Sequence, residues 1–538
     1  MAQSYLRRRS HPFWLATIRL GMLDPMRRVF LNSYRLFRMM RVLGRYGVLP
    51  NLEDHPIAAR LAVSLFQSRK DFEDGFGTRL ATALQELGPS FVKFGQSLAV
   101  RADLIGRQSA DELAQLQDQL PPFDGDVAIS IVEAELNNGI KRLFNRFDAK
   151  PIAAASIAQV HLAETVDGDQ VAVKILRPDI EKAFAKDIDL FVWLAECAEI
   201  WLPSFARFKL RAVVGEFEKT VSAELDLRIE AAAASALGDS MRDEIGFRVP
   251  AVDWSRTAHR VLTIERIYGI RIDDTDKIDE VGLDRREILK NSSAAFFHQV
   301  FRDGFFHADM HPGNMFVTED GVLMPVDFGI MGYLDRATRF YLADMLLAFL
   351  RKDYKRVADI HFDAGLVPPN QSRSGFALAI RSVTEPIFEC PLAEISIAQL
   401  LSRLFQTAET FQMEVQPQLL LLQKTMLVAE GVGRKLDADS NMWVLSRPLI
   451  EKWMRRYRGP EARLQEGIEG FTSILSRLPS IADRLDLIFS RLATEGDAVV
   501  DRRSFWALVR GARGRAPLVL CTFVICIILI LAGIIAGH

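Results

Sequence analysis

The spacing of apolar positions divides the first half of the chain into helical and strand-rich stretches. From about residue 55 to 135, apolar residues recur at intervals near 3.6, which predicts helices, with a turn at Pro121–Pro122. Residues 157–177 form two β-rich runs separated by Asp167–Gly168, which is the pattern of a β-hairpin. The helical period returns from about residue 181 to 240.

The second half of the chain is predicted to be mostly helical. A short apolar strand is expected within residues 261–270, leading into a turn at Gly269. The loop-rich stretch from Gly304 to Gly332 interrupts the helices and contains a hairpin signal at Glu319-Asp320-Gly321. A small mixed lobe followed by a larger helical lobe therefore predicts an α+β fold with two lobes.

An apolar run of 22 residues without a charged side chain covers residues 516–537. At about 1.5 Å per residue it would extend roughly 33 Å as a helix, enough to cross a hydrocarbon core of about 30 Å. Five arginines lie between residues 502 and 515, so the positive-inside rule predicts a single-pass protein whose main body is cytoplasmic. A buried core helix is the alternative, and it would need covering on every side.

Composition and charge change this picture mainly at the N-terminus. The hydrophobic content of 49% and the charged content of 25% are ordinary for a globular protein, and four scattered cysteines do not form a disulfide framework or a zinc-ligand set. Residues 1–50 contain ten arginines and one acidic residue, Asp24. The apolar residues between the arginines predict an amphipathic helix on an anionic membrane surface, while a solvated basic helix and a targeting segment remain alternatives.

The most specific pattern of chemistry lies in the loop-rich stretch. Asp309 and Asn314 have the D-x-x-x-x-N spacing of a kinase catalytic loop, and Asp327-Phe328-Gly329 follows them. Phosphoryl transfer needs an acid that accepts or orients the nucleophile's proton, which is the expected role of Asp309. It also needs hard oxygen ligands for Mg²⁺, which Asn314 and Asp327 could supply. His307 stands where the kinase H-R-D motif has its histidine.

An upstream lysine completes the pattern. Lys174 in VAVK matches the V-A-I-K of a kinase strand, where the ammonium contacts the α and β phosphates of ATP; a solvated strand lysine is the alternative. Its partner should be an acid in ELDLRIEAAAA, and Glu230 is favoured over Glu224 and Asp226. A surface pair between Glu224 and Arg228, four residues apart, is the structural alternative for the other acid.

Several longer segments make the resemblance specific. The chain is similar over most of its length to the ABC1/UbiB family of atypical kinase-like proteins, in its bacterial ubiquinone-biosynthesis branch. The segments that carry the resemblance are ELGPSFVKFGQ (86–96), IAAASIAQVH (152–161), ELDLRIEA (224–231), FFHADMHPGN (305–314), EPIFECPLAEIS and MEVQPQLLLLQKT.

The resemblance implies an atypical protein-kinase-like fold with an N-terminal helical extension and a C-terminal transmembrane helix. It implies ATP or ADP and Mg as cofactors and the bacterial inner membrane as location. Membrane lipids, ubiquinone-biosynthesis enzymes and isoprenoid intermediates are the expected partners, and nucleic acid is not. The expected function is that of an atypical kinase or ATPase that supports ubiquinone biosynthesis. A pseudokinase-like scaffold or lipid-binding module without phosphoryl transfer is the alternative.

An alanine-rich loop stands where a kinase has G-x-G-x-x-G. Its Cβ atoms restrict positive φ and the close approach of the backbone to phosphate. The resemblance implies that this loop binds nucleotide, alters nucleotide preference and restrains autophosphorylation. Its expected nucleotide-binding residues are Ile152, Ala153, Ala154, Ala155, Ser156, Ile157, Ala158, Gln159 and Val160, together with Lys174.

The KxGQ motif is the second departure from ordinary kinases. Lys93 and Gln96 are three residues apart and project together from a helix, which by itself is typical of an exposed polar face. The resemblance implies that they cover the nucleotide pocket, exclude protein substrates and interact with Glu224 and Asp226. The absence of an A-P-E element after Asp327 agrees with a small or lipidic substrate.

These expectations divide the chain into six regions. They are a basic amphipathic region (1–80), a helical extension with KxGQ (81–150), the N-lobe (151–268), the C-lobe (269–460), an amphipathic basic juxtamembrane region (461–515) and the transmembrane helix (516–537).

Overall fold

The computed structural model describes most of the chain between residues 25 and 457. The described ranges are 25–49, 75–99, 120–201, 210–388, 417–437 and 448–454, with positions 66, 109, 112–113, 407–408, 410–413 and 457. The juxtamembrane region and the transmembrane helix expected at 461–515 and 516–537 lie outside these residues. Within the described ranges, no helix combines the length and the apolar character needed to cross a bilayer.

Helices make up most of the described structure. In chain order they are α1 (Pro25–Arg45), α2 (Phe76–Leu87), α3 (Pro89–Ala99), α4 (Gly125–Leu136), α5 (Ile140–Leu143), α6 (Ile180–Trp201), α7 (Leu210–Glu224), α8 (Leu227–Ser240), α9 (Thr275–Glu280), α10 (Arg285–Phe297), α11 (Arg336–Leu350), α12 (Tyr354–Asp363), α13 (Arg373–Phe388) and α14 (Pro417–Leu436). A π-helical turn, His298–Asp303, extends α10, and 3₁₀ turns occur at Trp254–Arg256 and Pro312–Asn314.

The strands are short and antiparallel. They are β1 (Phe144–Phe147), β2 (Ala153–Ala154), β3 (Ala158–Thr165), β4 (Gln170–Leu176), β5 (Val261–Glu265), β6 (Ile270–Arg271), β7 (Phe305–His307), β8 (Met315–Val317), β9 (Leu323–Pro325) and β10 (Met331–Tyr333). The N-lobe sheet has the order β1-β3-β4-β5, with β2 paired to β3. The C-lobe contains the pairs β7-β10 and β6-β8-β9. The hairpins predicted at Asp167–Gly168 and at Glu319-Asp320-Gly321 are both present.

Alternation along β4 decides which side chains face the cleft. Val171, Val173 and Ile175 are buried against α4 in one apolar core. Because successive side chains of a strand point to opposite faces, Lys174 projects from the other face of the sheet. It lies opposite Val160 of β3 and Leu262 of β5 in the register. The sheet therefore presents Lys174 to the space between the lobes.

The N-terminal helices pack on the face of the N-lobe sheet that carries Lys174, together with α6 and α7. One core joins α1, α2 and α3 to α6 and α7, and it includes Leu36, Met40, Phe91 and Phe184. Aromatic rings tie α3 to both later helices, since Phe94 stacks on Phe191 of α6 at a centroid distance of 4.8 Å and meets Phe217 of α7 edge-on at 5.5 Å. The KxGQ segment is therefore fixed against the helices that precede α8.

A break between α7 and α8 corrects one expectation. The Glu224–Arg228 pair assumed a continuous helix, but α7 ends at Glu224 and α8 begins at Leu227. Asp226 caps α8 and accepts a hydrogen bond from the backbone N–H of Arg228 at 3.2 Å. Arg228 donates to the Asp226 carboxylate at 2.8 Å and 2.7 Å. The alternative of a Glu224–Arg228 pair is therefore wrong, because the helix ends between the two residues and Arg228 pairs with Asp226.

The C-lobe core joins α8 and α10 to the loop-rich stretch and to α14. Buried members include Leu237, Phe296, Phe306, Phe328 and Leu422. The chain passes from Gly329 through β10 to α11, which begins at Arg336 and has Asp335 as its N-cap. No long activation segment fits between residues 329 and 336. The mixed helix and sheet architecture with two lobes agrees with the fold class predicted from the sequence.

Candidate functional site

Lys174 lies at the centre of a charged cluster between the lobes. Its Nζ donates to Glu230 Oε1 at 2.7 Å and Oε2 at 2.9 Å, and it contacts Asp327 Oδ1 at 3.2 Å. Glu230 is nearly inaccessible on the first turn of α8, and it accepts a further hydrogen bond from the backbone N–H of Phe328 at 3.3 Å. The structure therefore brings the sequence-predicted lysine, its acid and the DFG aspartate into one contact network.

The protonation equilibria of the cluster reflect these contacts. Burial favours neutral Lys174, but the attraction of Asp327 and Glu230 outweighs it, so the pKa of Lys174 is raised above its usual range. The attraction of Lys174 lowers the pKa of Asp327 well below its usual range, and Lys93 adds to this effect. Burial raises the pKa of Glu230 against the opposing attraction of Lys174. The lysine is therefore held cationic and Asp327 anionic at neutral pH.

Asp327 has an unusual backbone conformation. Its φ of 64° is in the left-handed region, which costs energy for a residue with a Cβ but is tolerated by aspartate better than by most residues. Its side chain is 51% exposed although its neighbour Phe328 is buried in the C-lobe core. The strained turn therefore directs the carboxylate into the cleft while Phe328 anchors the segment.

The catalytic-loop residues surround Asp309. The Asn314 side-chain amide donates to the Asp309 carbonyl at 3.2 Å, and the Asn314 carbonyl accepts from Val326 N–H at 2.8 Å. His307 is buried, accepts from Asp309 N–H on Nδ1 at 3.2 Å and packs edge-on against the Phe328 ring. Burial lowers the pKa of His307, so it is neutral at pH 7. These bonds fix the catalytic loop to the DFG segment.

Asn314 and Asp327 carry side-chain oxygen atoms of the type that could hold a magnesium ion. The amide nitrogen of Asn314 is used by Asp309, which leaves its side-chain oxygen and the Asp327 carboxylate as hard oxygen ligands. Magnesium in phosphoryl-transfer sites takes one or two protein ligands and completes its shell with phosphate oxygens and waters. No cluster of three or more His, Cys, Asp or Glu side chains suited to a metal occurs among the described residues.

The alanine-rich loop forms a tight hairpin and does not have the conformation of a glycine-rich phosphate-binding loop. Ala153 and Ala154 form β2, which pairs with Val160 and Gln159 of β3. No residue from 152 to 160 has positive φ. The Arg177 guanidinium donates two hydrogen bonds to the Ala155 carbonyl, at 2.8 Å and 3.0 Å, and so fixes the turn.

Side chains of the loop divide between solvent and core. Ile152 and Ala153 are exposed, whereas Ser156, Ile157, Ala158 and Gln159 are buried. The Gln159 amide bonds to both main-chain groups of Phe123, with Oε1 accepting at 3.0 Å and Nε2 donating at 3.2 Å. The side chain of Gln159 is therefore committed to the N-lobe core.

Lys93 approaches the same cleft from α3. Its Nζ lies 3.0 Å from Glu224 Oε2, and the two side chains are only 15% and 12% exposed. Gln96 follows one turn later on α3 and is partly buried. Asp226, the other acid of the motif, is engaged by Arg228. Burial works to raise the pKa of Asp226, but the hydrogen bonds from Arg228 outweigh it and hold that pKa below its usual value.

Lys424 is a site residue that sequence reasoning missed. It lies on α14, and its Nζ donates to Asp309 Oδ1 at 2.8 Å. The segment MEVQPQLLLLQKT carried family resemblance, but no local spacing links a lysine there to an aspartate 115 positions earlier. Only the folded C-lobe brings the two together.

Comparisons with known proteins agree with this architecture. A model of the ABC1 atypical kinase-like domain matches residues 115–361, which contain the N-lobe sheet, Lys174 and the catalytic loop. A model of the UbiB helical domain matches residues 380–441, which contain α14.

Curated relatives align over most of the chain. A Pseudomonas putida protein named "Probable protein kinase UbiB" is 43% identical over 465 residues, which is 84% of this chain and 86% of that protein. A Xylella fastidiosa protein of the same name is 44% identical over 456 residues, which is 83% of each chain. Among solved structures, the complex of Rv3197 with erythromycin from Mycobacterium tuberculosis is 25% identical, with a TM-score of 0.49, and covers 69% of this chain and 95% of that one.

Proposed function

Because this chain belongs to the UbiB group of ABC1 atypical kinase-like proteins, we propose that it binds ATP with Mg²⁺ and transfers or hydrolyses the terminal phosphoryl group in support of ubiquinone biosynthesis. The observation that carries the proposal is the contact of Lys174 with both Glu230 and Asp327. The contact supports the proposal because phosphoryl transfer requires a cation for the α and β phosphates beside a carboxylate for the metal.

Each residue has a distinct role in the proposed reaction. Lys174 orients the phosphates and is held by Glu230, while Asn314 and Asp327 hold the metal ion. Mg²⁺ neutralises the phosphate oxygens when bound. Asp309 accepts or orients the proton of the attacking hydroxyl or water. The loop at 152–160 covers the nucleotide through its backbone.

The acceptor is proposed to be a small or lipidic molecule rather than a protein. A short connection from Gly329 to α11 leaves no platform for a peptide, and Lys93 and α3 lie beside the cleft. A polyisoprenoid precursor of ubiquinone fits these restrictions and the proposed membrane location.

Membrane association is proposed from two features. Residues 516–537 would anchor the protein in the bacterial inner membrane with its main body on the cytoplasmic side. The outer face of α1 carries the aromatics Phe30 and Tyr34, 75% and 67% exposed, among arginines. Such a face suits an anionic lipid surface.

The proposal is tested by nucleotide turnover of the full-length protein in membranes. Mg²⁺-dependent ATP turnover should fall by at least about 100-fold in Asp309→Asn and in Asp327→Asn, because each removes a charge used in the reaction. Asp363→Asn, at an exposed surface aspartate of α12, is the matched control and should behave as wild type. Unchanged turnover in both site variants contradicts the proposal.

A second assay separates catalysis from a scaffold role. Labelled ATP with extracted isoprenoid lipids distinguishes phosphate transfer from hydrolysis. In a strain that lacks the protein, quinone levels should return with wild type and not with Asp309→Asn. Full restoration by Asp309→Asn and Lys174→Ala would instead favour a pseudokinase-like scaffold that binds lipid intermediates or biosynthetic enzymes.

A further inference from the structure

Helix α14 contacts the catalytic loop at two consecutive positions. Lys424 Nζ donates to the Asp309 carboxylate at 2.8 Å. The buried hydroxyl of Thr425 lies 3.1 Å from the carbonyl oxygen of Ala308 and shares its proton with Leu421 O at 2.8 Å. One bond therefore reaches the functional carboxylate and the other reaches the backbone just before it.

The sequence of the loop explains why such contacts matter. In an ordinary kinase H-R-D motif an arginine precedes the aspartate. Arginine contacts to a phosphorylated activation segment are one way in which kinases order their active state. Here Ala308 occupies that position and is buried, and the chain from Gly329 to Arg336 is too short for a long activation segment. The usual means of ordering the loop is missing from these residues.

We propose that α14 orders the catalytic loop instead. Lys424 positions the Asp309 carboxylate, and Thr425 holds the loop backbone at Ala308. The inference rests on the proposed function of Asp309 as the group that handles the nucleophile's proton. By binding Oδ1, Lys424 leaves Oδ2 as the oxygen that meets the nucleophile. The helical domain, which includes α14, thereby contributes side chains to the phosphoryl-transfer site.

The geometry at Oδ2 supports this division of the carboxylate. The His311 ring does not bond to this oxygen, since its Nε2 lies 4.0 Å from Asp309 Oδ2, beyond hydrogen-bond distance. His311 also uses Nδ1 to accept from Gly313 N–H at 3.0 Å, which fixes its ring at the start of the 3₁₀ turn. Oδ2 is thus not held by the histidine that follows Asp309 in the loop.

The matched control is another lysine of the same helix. Lys435 lies 3.5 Å from Asp273 rather than near Asp309, and its side chain is largely exposed. Lys424 is also partly exposed, at 41%, so replacing it should leave the fold intact. Lys424→Met and Lys435→Met therefore remove the same charge from α14 at two places, and only the first is next to Asp309.

The experiment measures steady-state ATP turnover of full-length protein in membranes, with ATP affinity measured separately. Lys424→Met should lower kcat by about 10- to 100-fold, as expected when a catalytic group loses its orientation, while KM for ATP changes by less than about threefold. Lys424→Arg should recover part of kcat, and Lys435→Met should match wild type. Thr425→Val should lower kcat because it removes the hydroxyl that bonds to the Ala308 carbonyl. Thr425→Ser keeps the hydroxyl and should therefore have a kcat close to that of wild type.

Chemical rescue provides a readout that a structural role would not give. In Lys424→Ala, added ethylamine or propylamine should raise kcat in a saturable manner, whereas Lys435→Ala should not respond. If wild type turns over ATP and Lys424→Met turns it over equally fast, this inference is wrong but the proposed function stands. Loss of ATP affinity without loss of kcat also overturns it, since Lys424 would then bind nucleotide instead of positioning Asp309. A wild type without Mg²⁺-dependent turnover overturns the proposed function and this inference together.

Discussion

Lys174 Nζ and Asp327 Oδ1 lie 3.2 Å apart, although 153 positions separate the two residues in the chain. The contact joins a strand of the N-lobe to the DFG segment of the C-lobe. Glu230 holds the same ammonium from α8, so three separate parts of the fold meet at one cation. Any change in the relative position of the lobes must change these contacts.

Replacing Lys174 should weaken nucleotide binding. In Lys174→Met the phosphates lose a charge-assisted contact, and Glu230 and Asp327 lose the cation between them. We expect MgATP affinity to fall by about 10- to 100-fold, corresponding to a charged hydrogen bond of roughly 1.5–3 kcal/mol. Equilibrium binding of a fluorescent ATP analogue measures the change. Lys182→Met, at an exposed lysine of α6, is the control, and equal affinity in the two variants would contradict the role of Lys174.

The pair between Lys93 and Glu224 should show energetic coupling. Both side chains are largely buried, so removing one partner leaves the other charge poorly solvated. Lys93→Met and Glu224→Gln should each reduce the free energy of unfolding by about 1–3 kcal/mol, and the double variant by less than their sum. Denaturant unfolding of the four proteins measures the coupling. The exposed Lys182–Asp179 pair provides a control cycle with little coupling, and simple additivity at Lys93 and Glu224 would refute the prediction.

The sequence predicted the parts of the site that follow local rules. Lys174 was predicted because VAVK matches a known strand motif, and Asp309, Asn314 and Asp327 because their order and spacing match one loop and one hairpin of a kinase. To predict the Lys174–Glu230 contact, it was enough to expect that a helix after β4 brings an acidic side chain back to the sheet. These features depend on residues close together in the chain or on a strong motif.

The missed features depend on tertiary structure. The break between α7 and α8 has no proline or glycine, and only the N-cap preference of Asp226 could have signalled it. The burial of Gln159 depends on Phe123, 36 positions earlier, and Lys424 meets Asp309 only because the C-lobe core folds α14 against the catalytic loop. Periodicity in a single chain does not specify such contacts.

Acidification should destabilise the N-lobe through His161. This residue is buried on β3, where one ring nitrogen bonds to the Asp148 carbonyl and the other to the Gln159 amide, each at 2.8 Å. Burial lowers the pKa of His161 below its ordinary value of about 6.5. The unfolded chain therefore binds more protons in this window, so stability is complete above about pH 6.5 and is lost as the pH falls.

The variant His161→Asn tests this linkage. Its amide can still donate to the Asp148 carbonyl but does not titrate. We expect a loss of about 1–2 kcal/mol at pH 7 and a shallower decline in stability between pH 7 and 5 than in wild type. Denaturant unfolding at several pH values gives both quantities. An unchanged slope would show that His161 does not control the acid sensitivity of the N-lobe.

The exposed face of α1 should bind anionic lipid. The opposite face is fixed to the protein, because Leu36 and Met40 are buried and Asn32 donates to Asp189 of α6 at 2.9 Å. Phe30 and Tyr34 are therefore free to enter a lipid interface without unfolding the helix. In protein ending at residue 515, Phe30→Ser with Tyr34→Ser should weaken binding to phosphatidylglycerol vesicles by at least about tenfold, since each aromatic loses an apolar burial of a kcal/mol or more.

Vesicle flotation measures this binding, and three comparisons make it specific. Phosphatidylcholine vesicles should bind wild type weakly, because they lack the negative surface potential that attracts the arginines of α1. Added salt should release the protein from phosphatidylglycerol vesicles as the attraction is screened. Ile245→Ser, at an apolar side chain exposed elsewhere on the surface, should bind as wild type does. If the α1 variant floats as well as the Ile245 variant, this face of α1 does not dock on the membrane.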